Sequence, residues 1–589
     1  MTLHFDESAP LATAPPASGS GIRRDPVVLE SWGWSSRLDE CGPKVAALAS
    51  LANLEPPDPI ASVSYISHGN LLVVAGSAPE RARLAAEALA DRLHVTLLGA
   101  GEPAAHGKLT LWSGRVESLT GYLGEFNATI ADLRTAGNVA AVAQTPARFD
   151  LVLDFSREPL FDRRSPPQGY FRAPGDDGAL ELVLDELRDA VGDFEKPRFF
   201  AYRENICAHQ RSEIVGSNAC VEICSTEAIS ADGDHVKVDP HLCMGCGACA
   251  TVCPSGAMSY QFPRVADRGA QLKQLLSAYR HAGGRDAWVL FHNGSEGREL
   301  LAAAASTSRG LPANALPLEA WHIAAIGLDL LLPAVAFGAT RVVVLAAPSE
   351  DREYVHALRA QMAIGEAILA GLGYDGCHFV LLEAGDVAAL EHGLAAIAPA
   401  TGVATPATFL LSNDKRTAIE FAVEHLAKHA PRRVDEIALP PGAPFGEIRV
   451  DREKCTMCMA CVGACPASAL MDGVDQPLLK FVERNCVQCG LCEETCPEQA
   501  ISLGPRLLLT AAAREARLLN ETQPFHCVSC GKAFGTKQMV DVMLGRLAGH
   551  SMFSQPEALR RLQMCADCRV VDMMSAKNEV SILSLGDRS

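Results

Sequence analysis

Nineteen of the 21 cysteines fall in five groups, and only Cys41 and Cys377 stand alone. Three groups have the form C-x2-C-x2-C-x3-C-P: Cys243/Cys246/Cys249/Cys253, Cys455/Cys458/Cys461/Cys465 and Cys486/Cys489/Cys492/Cys496. Three thiolates in a tight turn can cap three irons of one cubane. The fourth, one helical turn on and followed by proline, points to the other cluster of a pair. Gly245 and Gly247 suit backbone kinks around bulky sulfide. The alternatives are free buried thiols or a zinc site, but zinc would need only four thiolates rather than eight at doubled spacing. The first group is sparser: Cys207, then Cys220-x3-Cys224.

The last group is Cys527-x2-Cys530 and, after 34 intervening residues, Cys565-x2-Cys568. Two such knuckles make a tetrahedral S4 site, and one structural zinc is the preferred occupant. A single rubredoxin-like iron or another cluster is the alternative. For Cys41 and Cys377 the expectation is free buried thiols.

These ligands need scaffolds. A chain of 589 residues exceeds one core, so three to five domains are expected. The formal charge of −18 argues against nucleic acid or anionic membrane as the main partner. Closely spaced cysteines in a long chain read as metal ligation in a reducing, cytoplasmic setting rather than as a secreted disulfide framework. Residues 1–30 read as a disordered tail with neither a secretory nor a twin-arginine signal. The longest apolar stretch, Trp321 to Ala339, contains His322, Asp329 and Pro333, so it reads as a buried helix and no membrane span is expected.

Apolar runs and helical periodicity predict the rest. Asn70 to Gly76, a helix over Pro79 to Leu93, a strand over His94 to Leu98, a strand over Asp150 to Phe155 and a helix over Ala179 to Val191 make residues 60–195 a Rossmann-like α/β domain. Strands at Ala287 to His292, Arg341 to Ala346 and His378 to Leu382 alternate with helices at Glu299 to Ser306, Asp351 to Ala370 and Asp386 to Ala396. They make residues 284–435 a second parallel α/β domain. Cysteine-bearing modules lie at 197–265, 446–504 and 524–570. The expected architecture is therefore multidomain, α/β plus α+β. It has two Rossmann-like parallel α/β domains, two ferredoxin-like dicluster modules and a zinc-ribbon-like C-terminal knuckle.

An internal repeat links the modules. Cys249-Ala-Thr-Val-Cys253-Pro matches Cys461-Val-Gly-Ala-Cys465-Pro and Cys492-Glu-Glu-Thr-Cys496-Pro, and Cys220-Val-Glu-Ile-Cys224-Ser is a worn copy. Residues 446–504 resemble a bacterial-type two-cluster ferredoxin. That resemblance implies one 4Fe-4S cluster on Cys455, Cys458, Cys461 and Cys496, and another on Cys486, Cys489, Cys492 and Cys465. Residues 197–265 resemble ferredoxins with one three-iron and one four-iron cluster. This implies a third 4Fe-4S cluster on Cys224, Cys243, Cys246 and Cys249, and a three-cysteine site of Cys207, Cys220 and Cys253. That site would hold a 3Fe-4S cluster, or a 4Fe-4S cluster with a non-cysteine ligand. His209 is the nearest candidate, although a lone loop histidine reads more simply as an ordinary polar residue.

Three further resemblances are local. Gly114-Arg-Val-Glu-Ser-Leu-Thr-Gly121-Tyr-Leu-Gly124-Glu-Phe126 is similar to a segment of the heterodisulfide reductase component that carries flavin and iron–sulfur clusters. The turn Ala75-Gly76-Ser77-Ala78-Pro79 has one glycine and is followed by Glu80, so no flavin or dinucleotide is expected there. Leu290-Phe-His292, Gly327-Leu-Asp-Leu-Leu-Leu and Gly338-Ala-Thr-Arg-Val-Val-Val-Leu345 resemble the delta subunit of methyl-viologen-reducing hydrogenase, which implies a partner-docking domain. Arg203-Glu-Asn-Ile-Cys207-Ala-His and Phe525-His-Cys527-Val-Ser-Cys530-Gly-Lys resemble the large ferredoxin-like proteins associated with molybdenum formate dehydrogenases.

The expected function is electron relay as a subunit or partner of a redox enzyme, of formate dehydrogenase or hydrogenase type, rather than catalysis by this chain alone. No acid–base constellation for substrate chemistry stands out. The rivals are a flavin- or nicotinamide-linked oxidoreductase, and a non-catalytic redox-sensing or maturation factor.

Overall fold

The computed structural model describes residues 38–99, 102–136, 138–307, 310–473 and 476–575. The tail expected at 1–30 lies outside them. The chain forms two compact units. The first is Met1–Glu204 with Asn218–Arg433; the second is Asn205–Ser217 with Val434–Ser589.

In the first unit, the apolar runs Asn70–Val74, His94–Leu98 and Leu151–Asp154 are parallel neighbours in an eight-stranded sheet. Helices Pro79–Leu89 and Asp177–Asp189 cover one face, where Leu71, Val73, Leu89, Leu97, Leu184 and Leu187 interlock. Among the described residues, the core on the other face contains no helix residue. Three long antiparallel strands, Leu109–Thr120, Phe126–Thr135 and Asn138–Phe149, extend the sheet, and Phe126, Ile130 and Phe149 pack with Leu72, Val74 and Val152. The sheet is thus mixed, not the wholly parallel one expected. The cause is the period-2 alternation of buried residues along Phe126, Ala128 and Ile130, which suits an antiparallel strand with one buried face.

The second α/β sheet is parallel throughout, in the order Ala315–Ala320, Trp288–Asn293, Arg341–Ala346, Phe379–Glu383. Arg341–Ala346 is buried at every position, as a central parallel strand must be. Asp351, Asp386 and Asp414 cap the helices Arg352–Leu372, Val387–Ala395 and Lys415–Lys428 by accepting N–H bonds from Glu353, Ala389 and Thr417. Leu328–Ala336 is a helix with every residue buried, and no helix among the described residues is long and apolar enough to cross a membrane. Cys377 is exposed, contrary to expectation, while Cys41 is buried. Cys377 sits in the turn before Phe379–Glu383 rather than inside that strand.

The first cysteine module lies between these layers in sequence. Phe200–Tyr202 pairs with Met258–Tyr260, and Ile229–Asp232 pairs with His235–Val238. The short helices Ala219–Ile223 and Ala248–Val252 lead into Cys224 and Cys253. The second unit repeats that plan: Gly446–Val450 pairs with Ile501–Leu508, Leu470–Met471 pairs with Leu478–Phe481, and the helices are Ala460–Ala464 and Leu491–Glu494. Its C-terminal part has a hairpin, Pro524–His526 with Ala533–Thr536, followed by helices Lys537–Leu547, Pro556–Arg561 and Ala566–Ser575.

Candidate metal centres

Each C-x2-C-x2-C loop has one backbone recipe. The second residue after the first cysteine and the first residue after the second are both left-handed: Gly245 and Gly247, Met457 and Met459, Gln488 and Gly490. Past the fourth cysteine a further left-handed residue follows, Gly256, Ser468 or Gln499, and the worn copy keeps it at Glu227. Such residues cost of order 1 kcal/mol each when they carry a side chain, and persist where the surroundings over-determine them. The recipe turns backbone N–H groups toward sulfur: Met258 donates to Cys253 Sγ at 3.4 Å, Ala469 to Cys465 Sγ at 3.3 Å and Ala500 to Cys496 Sγ at 3.3 Å. Gln488 Nε2 adds a bond to Cys486 Sγ at 3.4 Å.

Within each expected quartet the thiols disfavour one another's ionisation. Burial pushes Cys461 up to about 12, and the nearby Cys458, Cys455 and Cys496 push it the same way. Burial also raises Cys492, reinforced by Cys486, Cys489 and Cys465, with a last contribution from Cys461 of the neighbouring quartet. In the first module Cys249 is driven up by burial, then by Cys246, Cys243, Cys224 and Cys220. A thiolate there is unfavourable until a cation neutralises it, which the irons of a cluster do. The three four-thiolate sets therefore fit cubane clusters. Of the remaining three cysteines, Cys220 and Cys253 belong to the first unit and Cys207 to the second.

The first module's loop is wrapped by cations and a hydroxyl that the cysteine spacing does not signal. Buried Lys196 donates to His241 O at 2.7 Å and Cys243 O at 2.8 Å, and burial lowers its pKa to about 8. Buried Lys415 donates to Ala250 O, Thr251 O and Cys253 O at 2.8, 2.6 and 3.0 Å, closing the carbonyl end of the Ala248–Val252 helix. Burial pushes Cys246 up to about 12, against the opposing influence of the Tyr354 hydroxyl beside it. That hydroxyl also lies 2.6 Å from Ser225 Oγ, so the serine that stands in for the repeat's proline has a buried partner.

The C-terminal site is tighter. The Sγ atoms of Cys527, Cys530, Cys565 and Cys568 all lie within 4.8 Å of one another, with Cys530 and Cys565 3.7 Å apart. A tetrahedron of thiolates about 2.3 Å from one ion has edges of about 3.8 Å, so this set fits a single ion and is too small for a cubane. Burial opposes ionisation of Cys527, but backbone N–H groups of Cys530, Cys565 and Ser529 outweigh it and pull the thiol down to about 6. Cys527 follows the strand Pro524–His526, and Cys565 opens into the helix Ala566–Ser575, so the second knuckle leads into a helix rather than a strand pair. The element is braced on the second module: Thr536 Oγ1 donates to Thr456 O at 3.0 Å, between Cys455 and Cys458.

The single-glycine turn is engaged within the protein. Ser77 N–H and its hydroxyl both donate to Phe155 O, and a Cβ on Gly76 would come within 2.4 Å of Ser156 Cα.

Comparison with known proteins agrees with this geometry. Residues 215–257 and residues 454–501 each match the family described as 4Fe-4S dicluster domain. The chain carries two 4Fe-4S dicluster domains of the kind found in ferredoxins. Hydrogenase-4 component A of Escherichia coli (strain K12) is 40% identical over 52 residues, 9% of this chain and 25% of that protein. Ferredoxin 7Fe of Hydrogenibacillus schlegelii is 40% identical over 43 residues, 7% of this chain and 55% of its own length. A ferredoxin of Alicyclobacillus acidocaldarius subsp. acidocaldarius is 43% identical over 49 residues, 8% of this chain and 63% of its own. The chain thus spans less than two thirds of each relative. Two such domains imply several 4Fe-4S clusters.

Proposed function

We propose that the chain is the electron-relay subunit of a larger redox complex, of formate dehydrogenase or hydrogenase type, in a reducing cytoplasmic setting. Three 4Fe-4S clusters take Cys455/Cys458/Cys461/Cys496, Cys486/Cys489/Cys492/Cys465 and Cys224/Cys243/Cys246/Cys249. The sequence pattern assigns Cys207, Cys220 and Cys253 to a fourth cluster of three or four irons, and one zinc takes Cys527, Cys530, Cys565 and Cys568. The clusters supply single-electron storage when bound. The chain's own residues position them, exclude water and donate hydrogen bonds to sulfur.

The carrying observation is the pair of 4Fe-4S dicluster domains whose cysteine loops share one left-handed backbone recipe. The engagement of Ser77 with Phe155 favours this reading over a flavin- or nicotinamide-linked enzyme. The partner assignment rests on the sequence resemblances and on the similarity to a hydrogenase component. The test is iron, sulfide, zinc and flavin quantification on anaerobically purified protein, with electron paramagnetic resonance before and after reduction. About 15 or 16 irons per chain, one zinc and no flavin are expected. About eight irons would leave only one module loaded. A failure to exchange electrons with either enzyme type would sink the relay.

A further inference from the structure

Glu350 stands just before the helix Arg352–Leu372, and its side chain is only 7% exposed. Its Oε1 lies 3.2 Å from His322 Nε2. Ala324 N–H donates to His322 Nδ1 at 3.1 Å, so that nitrogen is an acceptor and the ring proton sits on Nε2, facing Glu350. Burial holds the imidazole neutral, with its pKa lowered to about 4. The carboxyl is therefore the member of the pair that can exchange a proton near neutrality. Burial first, then the like charges of Glu296 and Asp351, push Glu350 up to about 7, while the Asp351 N–H pulls the other way. Glu296 accepts from Ser349 Oγ at 2.7 Å, and Asp351 pairs with Arg164 at 3.1 Å. Pro348 and Ser349, next to Glu350 in the chain, are exposed, so water is close at hand.

The same imidazole borders the first module, and all of these residues belong to the first unit. The His322 ring meets the Tyr354 ring edge-on, with centroids 5.4 Å apart. Tyr354 lines one cavity with Cys224, Cys243, Cys246 and Cys249, and burial keeps its phenol protonated. The turn that begins at His322 is tied to the ligand loop. Thr251 Oγ1 donates to Ala324 O at 2.7 Å, and Ala324 belongs to the hydrophobic cluster on which Cys246 and Cys249 pack. Two side chains, His322 and Tyr354, thus connect Glu350 to the cluster cavity.

We propose that Glu350 is a redox-linked proton site: when an electron enters the cluster on Cys224, Cys243, Cys246 and Cys249, one proton from solvent binds the Glu350 carboxylate, and reoxidation releases it. The inference deepens the relay reading and rests on that cluster assignment. The electron comes from an external reductant, and no bond forms or breaks besides the carboxyl O–H. An added negative charge disfavours a second one nearby, so the reduced state binds the proton more tightly. A unit charge at this remove in a partly buried setting changes proton affinity on the order of tenfold. Below the oxidised-state pKa, near 7, Glu350 is protonated in both redox states; well above it, in neither. The midpoint potential of this cluster therefore falls with rising pH over about one unit from that point, and is level on either side.

The experiment uses the full chain, purified anaerobically and titrated with dithionite at a series of pH values from about 5 to about 9. Electron paramagnetic resonance follows the cluster, whose signal is assigned by its loss in Cys246→Ser. In the unaltered protein its midpoint potential should fall by about 59 mV across the window, the equivalent of a tenfold change in proton affinity. Glu350→Gln should keep the iron content and abolish the fall. Glu296→Gln removes a like charge and should move the window to lower pH. Infrared difference spectra of the unaltered protein, a readout that needs no variant, should show a carboxylic-acid band appearing on reduction within the window. A level potential or no such band in the unaltered protein, or a fall that survives in Glu350→Gln, overturns the proton site and leaves the cluster standing. Absence of any signal that Cys246→Ser removes overturns the cluster assignment, and the proton site with it.

Discussion

The two C-x2-C-x2-C loops at Cys243 and Cys455 bend alike yet are filled differently. In the first, the left-handed positions are Gly245 and Gly247; a Cβ there would come within 2.5 Å of the Phe199 ring and 2.6 Å of Ala325 Cβ. In the second they are Met457 and Met459, which join the hydrophobic cluster around the ligands. Where protein packs directly on the loop, only glycine leaves enough space. The second loop instead accepts backbone strain in exchange for two side chains that join the cluster around the ligands. Cys458, beside both methionines, is nevertheless exposed. The first loop is also bracketed by buried Lys196 and Lys415, whereas Arg506 and Arg517 of the second module are spent on Glu447 and Glu483. One backbone recipe thus serves two electrostatic settings.

The sharpest way to break this comparison is to exchange the fillings. Gly245→Met should destabilise the first module by about 3 kcal/mol, through overpacking and left-handed strain, and strip its clusters while the second module keeps its iron. Iron per chain and thermal unfolding report it; a fully loaded Gly245→Met would refute the packing argument. Next comes charge. Lys196→Met removes a buried cation beside Cys243, so the midpoint potential of that cluster should fall by on the order of 100 mV, with the second module unmoved. Redox titration followed by paramagnetic resonance decides, and a rise would reverse the assigned sign. Removal of the ion at Cys527/Cys530/Cys565/Cys568 by a chelator should loosen the Thr536–Thr456 brace. Amide exchange at Lys537–Leu547 should then quicken by about tenfold or more, with none at Ala248–Val252. The smallest effect is expected from Met459→Gly, which relieves about 1 kcal/mol of strain and loses part of that in packing. A stability change within about 1 kcal/mol and unchanged iron content are expected.

What could be read from sequence was local. A ligand loop writes its thiolates within a few residues, and parallel strands such as Arg341–Ala346 write themselves as unbroken apolar runs. The helix predicted to Leu93 ends at Leu89 because Ala90 to Arg92 form a turn into the next strand, a boundary that periodicity does not mark. The strand Leu109–Thr120 was illegible because Ser113, Gly114 and Arg115 interrupt its alternation. Lys196, Tyr354 and Lys415 lie far from the cysteines in sequence, and no spacing rule reaches them. Ser225 in place of proline was the one visible hint of Tyr354, since a serine gives that phenol a hydroxyl to meet.

The hairpin at 205–217 is threaded out of the first unit and belongs to the second, with its flanks on either side in the first. A ribosome makes it long before Leu491, the residue it must cover, and Leu491 is fully buried. A gene fragment beginning at Val434 would therefore yield a module with one greasy side chain uncovered beside Cys492. Splitting this protein into separately expressed halves will succeed only if the early segment is supplied back as a peptide.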